Sequence, residues 1–141
     1  MKAYTYRLVR EKTAEYNYRG IVTNTDEASV RLLNEIFDAQ NLPEEHAFVI
    51  AMDAKTHVVG VFDFSHGTAN ASLVSPKDVL KRVLLSDAIA FVFAHNHPSG
   101  DPTPSVQDRQ ITKKLKASAE VMDVTMLGSL VIGDNTYERV E

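Results

Sequence analysis

Six consecutive apolar residues, Ile89-Ala90-Phe91-Val92-Phe93-Ala94, run directly into His95-Asn96-His97 and a loop holding three of the chain's five prolines. An apolar run without alternation fits a strand buried on both faces, the kind found at the centre of an α/β sheet. It falls far short of the roughly 20 residues needed to span a bilayer. The rest of the chain must therefore cover both faces of that strand, and the strand must end at a polar, proline-rich corner.

The flanking segments have the patterns to do this. Tyr4, Tyr6 and Leu8 alternate with Thr5, Arg7 and Val9 and predict a first strand. Val30, Leu33 and Phe37 recur at helical spacing after a cap at Asn24 or Thr25, predicting a helix of about 14 residues that ends near Asn41 and Pro43. The runs Ala47 to Met52 and Val58 to Phe62, joined by the turn-like Asp53-Ala54-Lys55-Thr56, predict an antiparallel pair. Pro76 after Ser75 opens a helix with Val79, Val83 and Leu84 on its apolar stripe, ending near Ser86. A further helix is expected from about Ser105 to Met122, bearing Ile111, Leu115 and Ala119. A strand through Leu127, Leu130, Val131 and Ile132 then turns at Gly133-Asp134-Asn135 into a short strand at Tyr137 to Val140. Gly60, inside an apolar strand, marks a bulge or a close backbone approach, while Gly67 and Gly100 read as turn residues.

With 141 residues and 44% of them hydrophobic, the chain suits one globular domain. It contains no Cys, which removes disulfides, thiolate zinc sites and Cys nucleophiles together. Any metal must be held by His, Asp or Glu. The balance of 15 Lys+Arg against 19 Asp+Glu, a formal charge of -4, argues against a surface built mainly to grip nucleic acid. Local patches remain open: Arg109, Lys113, Lys114 and Lys116 make one helix basic, and Asp26, Glu27, Glu35, Asp38, Glu44 and Glu45 make residues 26 to 45 acidic. Both read first as solvated faces. Met1 to Arg10 lacks the pattern of a signal peptide and no span is long enough for a membrane, so the expected setting is the cytoplasm, with no membrane partner.

The chemistry gathers where the central strand ends. His95 and His97 are two apart, so in an extended segment both imidazoles face the same side. Asp108 follows after ten residues, in the first turn of the next helix. Two His and one carboxylate at a strand end make a three-ligand zinc site with the fourth tetrahedral position open, the arrangement of a catalytic ion. The plainer alternative, loop histidines that bind nothing, stays open on residues alone. His46, His57 and His66 are read that way.

The segment His95-Asn96-His97-Pro98-Ser99-Gly100-Asp101-Pro102-Thr103-Pro104-Ser105-Val106-Gln107-Asp108 resembles the signature of the RadC-like branch of the JAMM (JAB) metalloprotease superfamily. The general pattern, an upstream Glu and then H-x-H-x7-S-x2-D, is met by His95, His97, Ser105 and Asp108 without a gap. The resemblance covers roughly residues 25 to 133 and includes Ser75-Pro76-Lys77-Asp78-Val79 and Ile111-Thr112. It implies an α/β, three-layer α-β-α JAMM-like fold, similar to cytidine deaminases, with a central mixed sheet. It further implies Zn2+ on His95, His97 and Asp108, Glu45 as general acid/base and Ser105 as an oxyanion donor. Glu44 is the rival base; Glu45 is preferred because it leads into Phe48 to Asp53 at the family's offset. The chain departs from the family in reading Gly128-Ser129 where an Asp-His pair is frequent, and residues 1-141 are expected to form a single such domain without the N-terminal helix-hairpin-helix region of longer members.

Zinc-dependent hydrolysis of an amide or isopeptide bond in a peptide or protein substrate is the leading expectation. A DNA-repair role or a metal-dependent nuclease is the first alternative, since the family carries a repair label; nucleic acid as partner is not supported by the net charge. A non-catalytic module keeping zinc for structure is the second. The contiguous string His95-Asn96-His97 is unrelated to HNH nucleases, whose letters stand for residues far apart, and a zinc deaminase would need cysteines that the chain lacks.

Overall fold

The computed structural model describes residues 1–5, 23–64 and 74–141. Most of the strand expected from Tyr4 to Val9, together with Gly67 and His66, lies outside the described residues. In chain order the elements are α1 (Asp26–Phe37), a short 3-10 turn (Ala39–Asn41), β1 (Ala47–Met52), β2 (Val58–Asp63), α2 (Pro76–Leu85), β3 (Ala90–Asn96), α3 (Val106–Val121), β4 (Thr125–Gly133) and β5 (Thr136–Arg139). The strands form one five-stranded mixed sheet in the order β2-β1-β3-β4-β5. β1 runs antiparallel to both β2 and β3, β3 and β4 are parallel with α3 as their crossover, and β4 returns antiparallel through β5.

All seven residues of β3 are buried, as a central strand requires. Period-two alternation sends Phe91 and Phe93 to one face, where they meet Ala47, Val49 and Ala51 of β1 under Val79 and Val83 of α2 and Ile111 and Leu115 of α3. Val92 and Ala94 go to the other face with Phe48, Ile50, Leu130 and Ile132, under Val30 and Leu33 of α1. The result is a three-layer α-β-α sandwich. Truncating a core ring such as Phe93 to Ala would cost about 3–5 kcal/mol.

Local chemistry sets the helix ends. The Thr25 hydroxyl accepts from the Ala28 N–H, and Asp38 takes a left-handed conformation that stops α1 after 12 residues and hands the chain to the 3-10 turn. The expected helix of about 14 residues is thus divided in two. Ser75 and Asp78 form a capping box at α2, with Pro76 at the first helical position. Gly60 flanks a bulge, since Ala51 pairs with Gly60 but Met52 with Val58, leaving Val59 as the extra residue. The central strand begins at Ala90 and continues through His95 and Asn96, two residues past the apolar run, because the Asn96 N–H donates to the His46 carbonyl and extends the ladder.

Candidate metal centre

Sheet register brings three of the four donors to one place. Ala47 pairs with His95, so Glu45, two residues before Ala47, lies on the face that His95 and His97 share. That face is the one covered by α2 and α3. Asp108, in the first turn of α3, is delivered from above by the crossover. Donor atoms of Glu45, His95, His97 and Asp108 all lie within 4.8 Å of one another. His95 Nε2 is 2.9 Å from Asp108 Oδ1, His97 Nε2 is 3.2 Å from Asp108 Oδ2, and the two Nε2 atoms are 3.2 Å apart. Glu45 Oε1 stands off at 4.0 Å from His95 Nε2.

These separations suit a single cation. Ligand atoms held at about 2.0–2.1 Å in a tetrahedron stand about 3.3 Å from each other, close to the three short distances. Burial also suits it, with the His95 and Asp108 side chains 2% and 4% exposed and those of His97 and Glu45 18% and 20%. The interior pair is walled off while the other two open toward solvent.

The loop fixes the second imidazole. The His97 N–H donates to the Ile132 carbonyl, and the Gly100 N–H closes a turn onto the His97 carbonyl. Gly100, at φ +85°, then gives its own carbonyl to the Asp134 N–H, and Gly133 lies so close beneath that carbonyl that a Cβ would collide with it. His97 Nδ1 is 2.9 Å from the Asp101 carbonyl. A carbonyl only accepts, so Nδ1 carries the hydrogen and Nε2 is the ring nitrogen that faces the cluster. Among the described residues His95 Nδ1 is buried without a partner.

Burial works to raise the Asp108 carboxyl's pKa, but the His95 ring, through hydrogen bond and charge, and the Ser105 N–H and hydroxyl outweigh it and hold the group well below the usual carboxylate range. Ser105 itself is the N-cap of α3 and lies beside Asp108 rather than among the four donors; its hydroxyl accepts from the Asp108 N–H at 3.1 Å.

Glu44, the rival to Glu45, uses its backbone, accepting at its carbonyl from Asn96 Nδ2 at 3.0 Å. His46 stays outside the donor cluster as a hydrogen-bonded side chain: its Nδ1 lies 3.0 Å from both oxygens of Asp63, and the ring stacks on Phe48. His57 does stay at the surface, paired with Asp53. Asn96 is the residue that sequence reading passed over. Its side chain bonds both neighbours of Glu45, and the only signal for it was its place between two candidate ligands. The departure at Gly128-Ser129 is accommodated locally: the Ser129 hydroxyl pairs with that of Thr112 at 2.7 Å, and the Arg139 guanidinium covers Gly128 while reaching Asp26 and the Leu127 carbonyl. No described helix is long and apolar enough to cross a membrane.

Comparison with known proteins gives a family model described as a RadC-like JAB domain, matching residues 22–139. Similar curated proteins include a UPF0758 protein of Desulfitobacterium hafniense, 35% identical over 116 residues, which cover 82% of this chain and 50% of the relative. Another, from Symbiobacterium thermophilum, is 44% identical over 97 residues, covering 69% of this chain and 42% of the relative. A third, from Moorella thermoacetica, is 34% identical over 123 residues, covering 87% and 52%. The chain spans about half the length of the curated relatives it matches.

Proposed function

This chain belongs to the family of RadC-like JAB domains, and from that premise we propose that it is a zinc-dependent hydrolase of amide bonds, a peptidase or isopeptidase acting on a peptide or protein substrate. Family and donor set together fit a metal-dependent hydrolase. The observation that carries the finer reading is the division of labour among the four donors: three stand at the mutual distances of ligands to one ion, and the fourth, Glu45, stands back at 4.0 Å from His95 Nε2.

In this reading His95, His97 and Asp108 hold Zn2+. The ion would act as a Lewis acid and bring the pKa of a water molecule to about 7. Glu45 takes the proton of the attacking water at its carboxylate and returns it to the departing amine, which neutral amines require as leaving groups. Its partial exposure leaves it in contact with arriving substrate. Ser105, whose hydroxyl accepts the Asp108 N–H and also supports the Asp108 carboxylate, would serve in addition as an oxyanion donor by turning its single O–H from that carboxylate to the substrate oxygen. The Asp101 carbonyl keeps the His97 ring in the tautomer that binds metal.

Untagged protein loaded with zinc and offered a mixed peptide and isopeptide library tests this. Cleavage that disappears on chelation and in Glu45→Gln supports the proposal. Cutting of oligonucleotides in place of peptides would transfer the reading to a nuclease. Stoichiometric zinc with neither activity would leave a binding module.

A further inference from the structure

The residue between the two histidines faces the other way. In a strand, neighbours point to opposite faces, so with His95 and His97 directed at the donor cluster, Asn96 points to the face covered by α1. There it is completely buried, and both ends of its amide are occupied. Oδ1 accepts from the His46 N–H at 2.7 Å, and Nδ2 donates to the Glu44 carbonyl at 3.0 Å. The Asn96 N–H adds a third bond to the His46 carbonyl at 3.3 Å. These bonds fall on the two residues flanking Glu45. The far side of His46 is also held, by Asp63 and by stacking on Phe48.

We propose that Asn96 is a positioning residue for Glu45: its amide clamps the peptide groups on either side of Glu45 and so sets where that carboxylate stands relative to His95, His97 and Asp108. The residue type is dictated by the task. Glu45 lies two residues before β1, where the last ladder bond, from the Asn96 N–H to the His46 carbonyl, still leaves the His46 N–H and the Glu44 C=O to be satisfied. A side chain that accepts and donates from a single carbon satisfies both at once; Ala does neither, and Asp has no donor to give when ionised. One strand end thereby carries two ligands on one face and the support for the general base on the other.

The inference rests on the proposed role of Glu45, and its test has an arm that needs no substrate. Asn96→Ala and the isosteric Asn96→Asp are compared with wild type, all zinc-loaded, by elemental analysis, by hydrogen exchange at the His46 amide and by crystal structures. Both variants should keep one zinc per chain. Exchange at the His46 amide should rise at least tenfold in Asn96→Ala and less in Asn96→Asp, which keeps the acceptor, and Glu45 should leave its place beside His95 in both. With a cleaved peptide in hand, kcat should fall by about 10²-fold, the scale of a misplacement near 1 Å, with KM little changed. A variant that merely melts lower while Glu45 stays in place and kcat holds overturns the proposal. If wild type cleaves nothing, the hydrolase reading fails by itself, and the clamp is decided by exchange and by the position of Glu45. Should Asn96→Ala fail to fold, Asn96→Asp decides by the same readouts.

Discussion

Ser105 and Asp108 exchange two hydrogen bonds at the start of α3: the Ser105 N–H donates to Asp108 Oδ2 at 2.7 Å, and the Asp108 N–H donates to the Ser105 hydroxyl at 3.1 Å. This capping box uses one of the cluster carboxylates as its acidic member, so the element that starts the helix also orients the oxygen that faces His97. Helix start and donor geometry are therefore coupled at this point.

That coupling gives Ser105 two separable jobs. An N-cap Ser→Ala change costs about 0.5–2 kcal/mol, whereas Gly at the same place is worse than Ser by only a few tenths. Ser105→Gly should melt near wild type and Ser105→Ala a few degrees lower. If the hydroxyl is also an oxyanion donor, both should lose about 10²-fold in kcat with zinc retained. Turnover that follows melting temperature, with Ser105→Gly nearly normal, would reduce Ser105 to a cap.

His95→Ala and His97→Ala should each lower zinc content sharply in untagged protein, as elemental analysis reads it. His95 lies deeper and faces Asp108 at 2.9 Å, so its removal should also leave a cavity and cost more stability than the removal of His97. Metal content unchanged in both would remove the ligand assignment.

Glu45→Gln should retain zinc and melting behaviour while kcat falls by roughly 10²–10⁴-fold, the range of general acid–base catalysis. The amide fills the same space but cannot take the proton. Retained turnover would pass the role to another group.

The parts of this architecture that were readable from sequence are those encoded by short-range periodicity. The apolar run before His95 marked the central strand, and the spacing of two marked the shared face of both imidazoles. Ser75-Pro76 and Ser105 announced helix starts because capping is local chemistry. Glu45 was different: Glu44 follows Pro43 and reads as a loop charge, but the role of Glu45 itself came from the resemblance to a family and from no local pattern. In space the distinction comes from the pairing of Ala47 with His95, a contact across 48 residues of sequence. The same holds for Asn96 with Glu44 and His46, and for His46 with Asp63. Such partners are set by register between strands, which no local pattern records.

Acid should weaken α2 through Asp78. The Ser75 hydroxyl, and less strongly its N–H, hold the Asp78 carboxyl below its usual value of 3.8 against the opposing effect of burial. A folded-state pKa lowered in this way contributes stability that is present in full above 3.8 and is lost as pH falls through the lower folded value. The melting temperatures of wild type and Asp78→Asn should therefore differ near neutral pH and converge from about pH 4 downward. A constant gap across that range would show that the carboxylate charge contributes nothing there.

Asp108→Asn separates the two roles of the carboxylate most sharply. The side-chain oxygen of Asn can still accept the Ser105 N–H, so the helix keeps much of its cap, and the lost charge at a helix N-terminus costs about 0.3–1 kcal/mol. The metal reading demands far more, because an uncharged amide oxygen is a poor substitute for a carboxylate facing two imidazoles at 2.9 and 3.2 Å. The variant should therefore be purified largely without zinc, and its melting should no longer rise when zinc is added, whereas wild-type melting should rise with the free ion as for any ligand that binds only the folded state. Because Asp108 is held well below the usual carboxylate range, metal-free wild type should also lose stability as acid protonates it, and the variant should lack that component. A variant that keeps full zinc and melts only slightly lower would assign the third ligand to another group, with Glu45, already within 4.8 Å of both imidazoles, the first to replace.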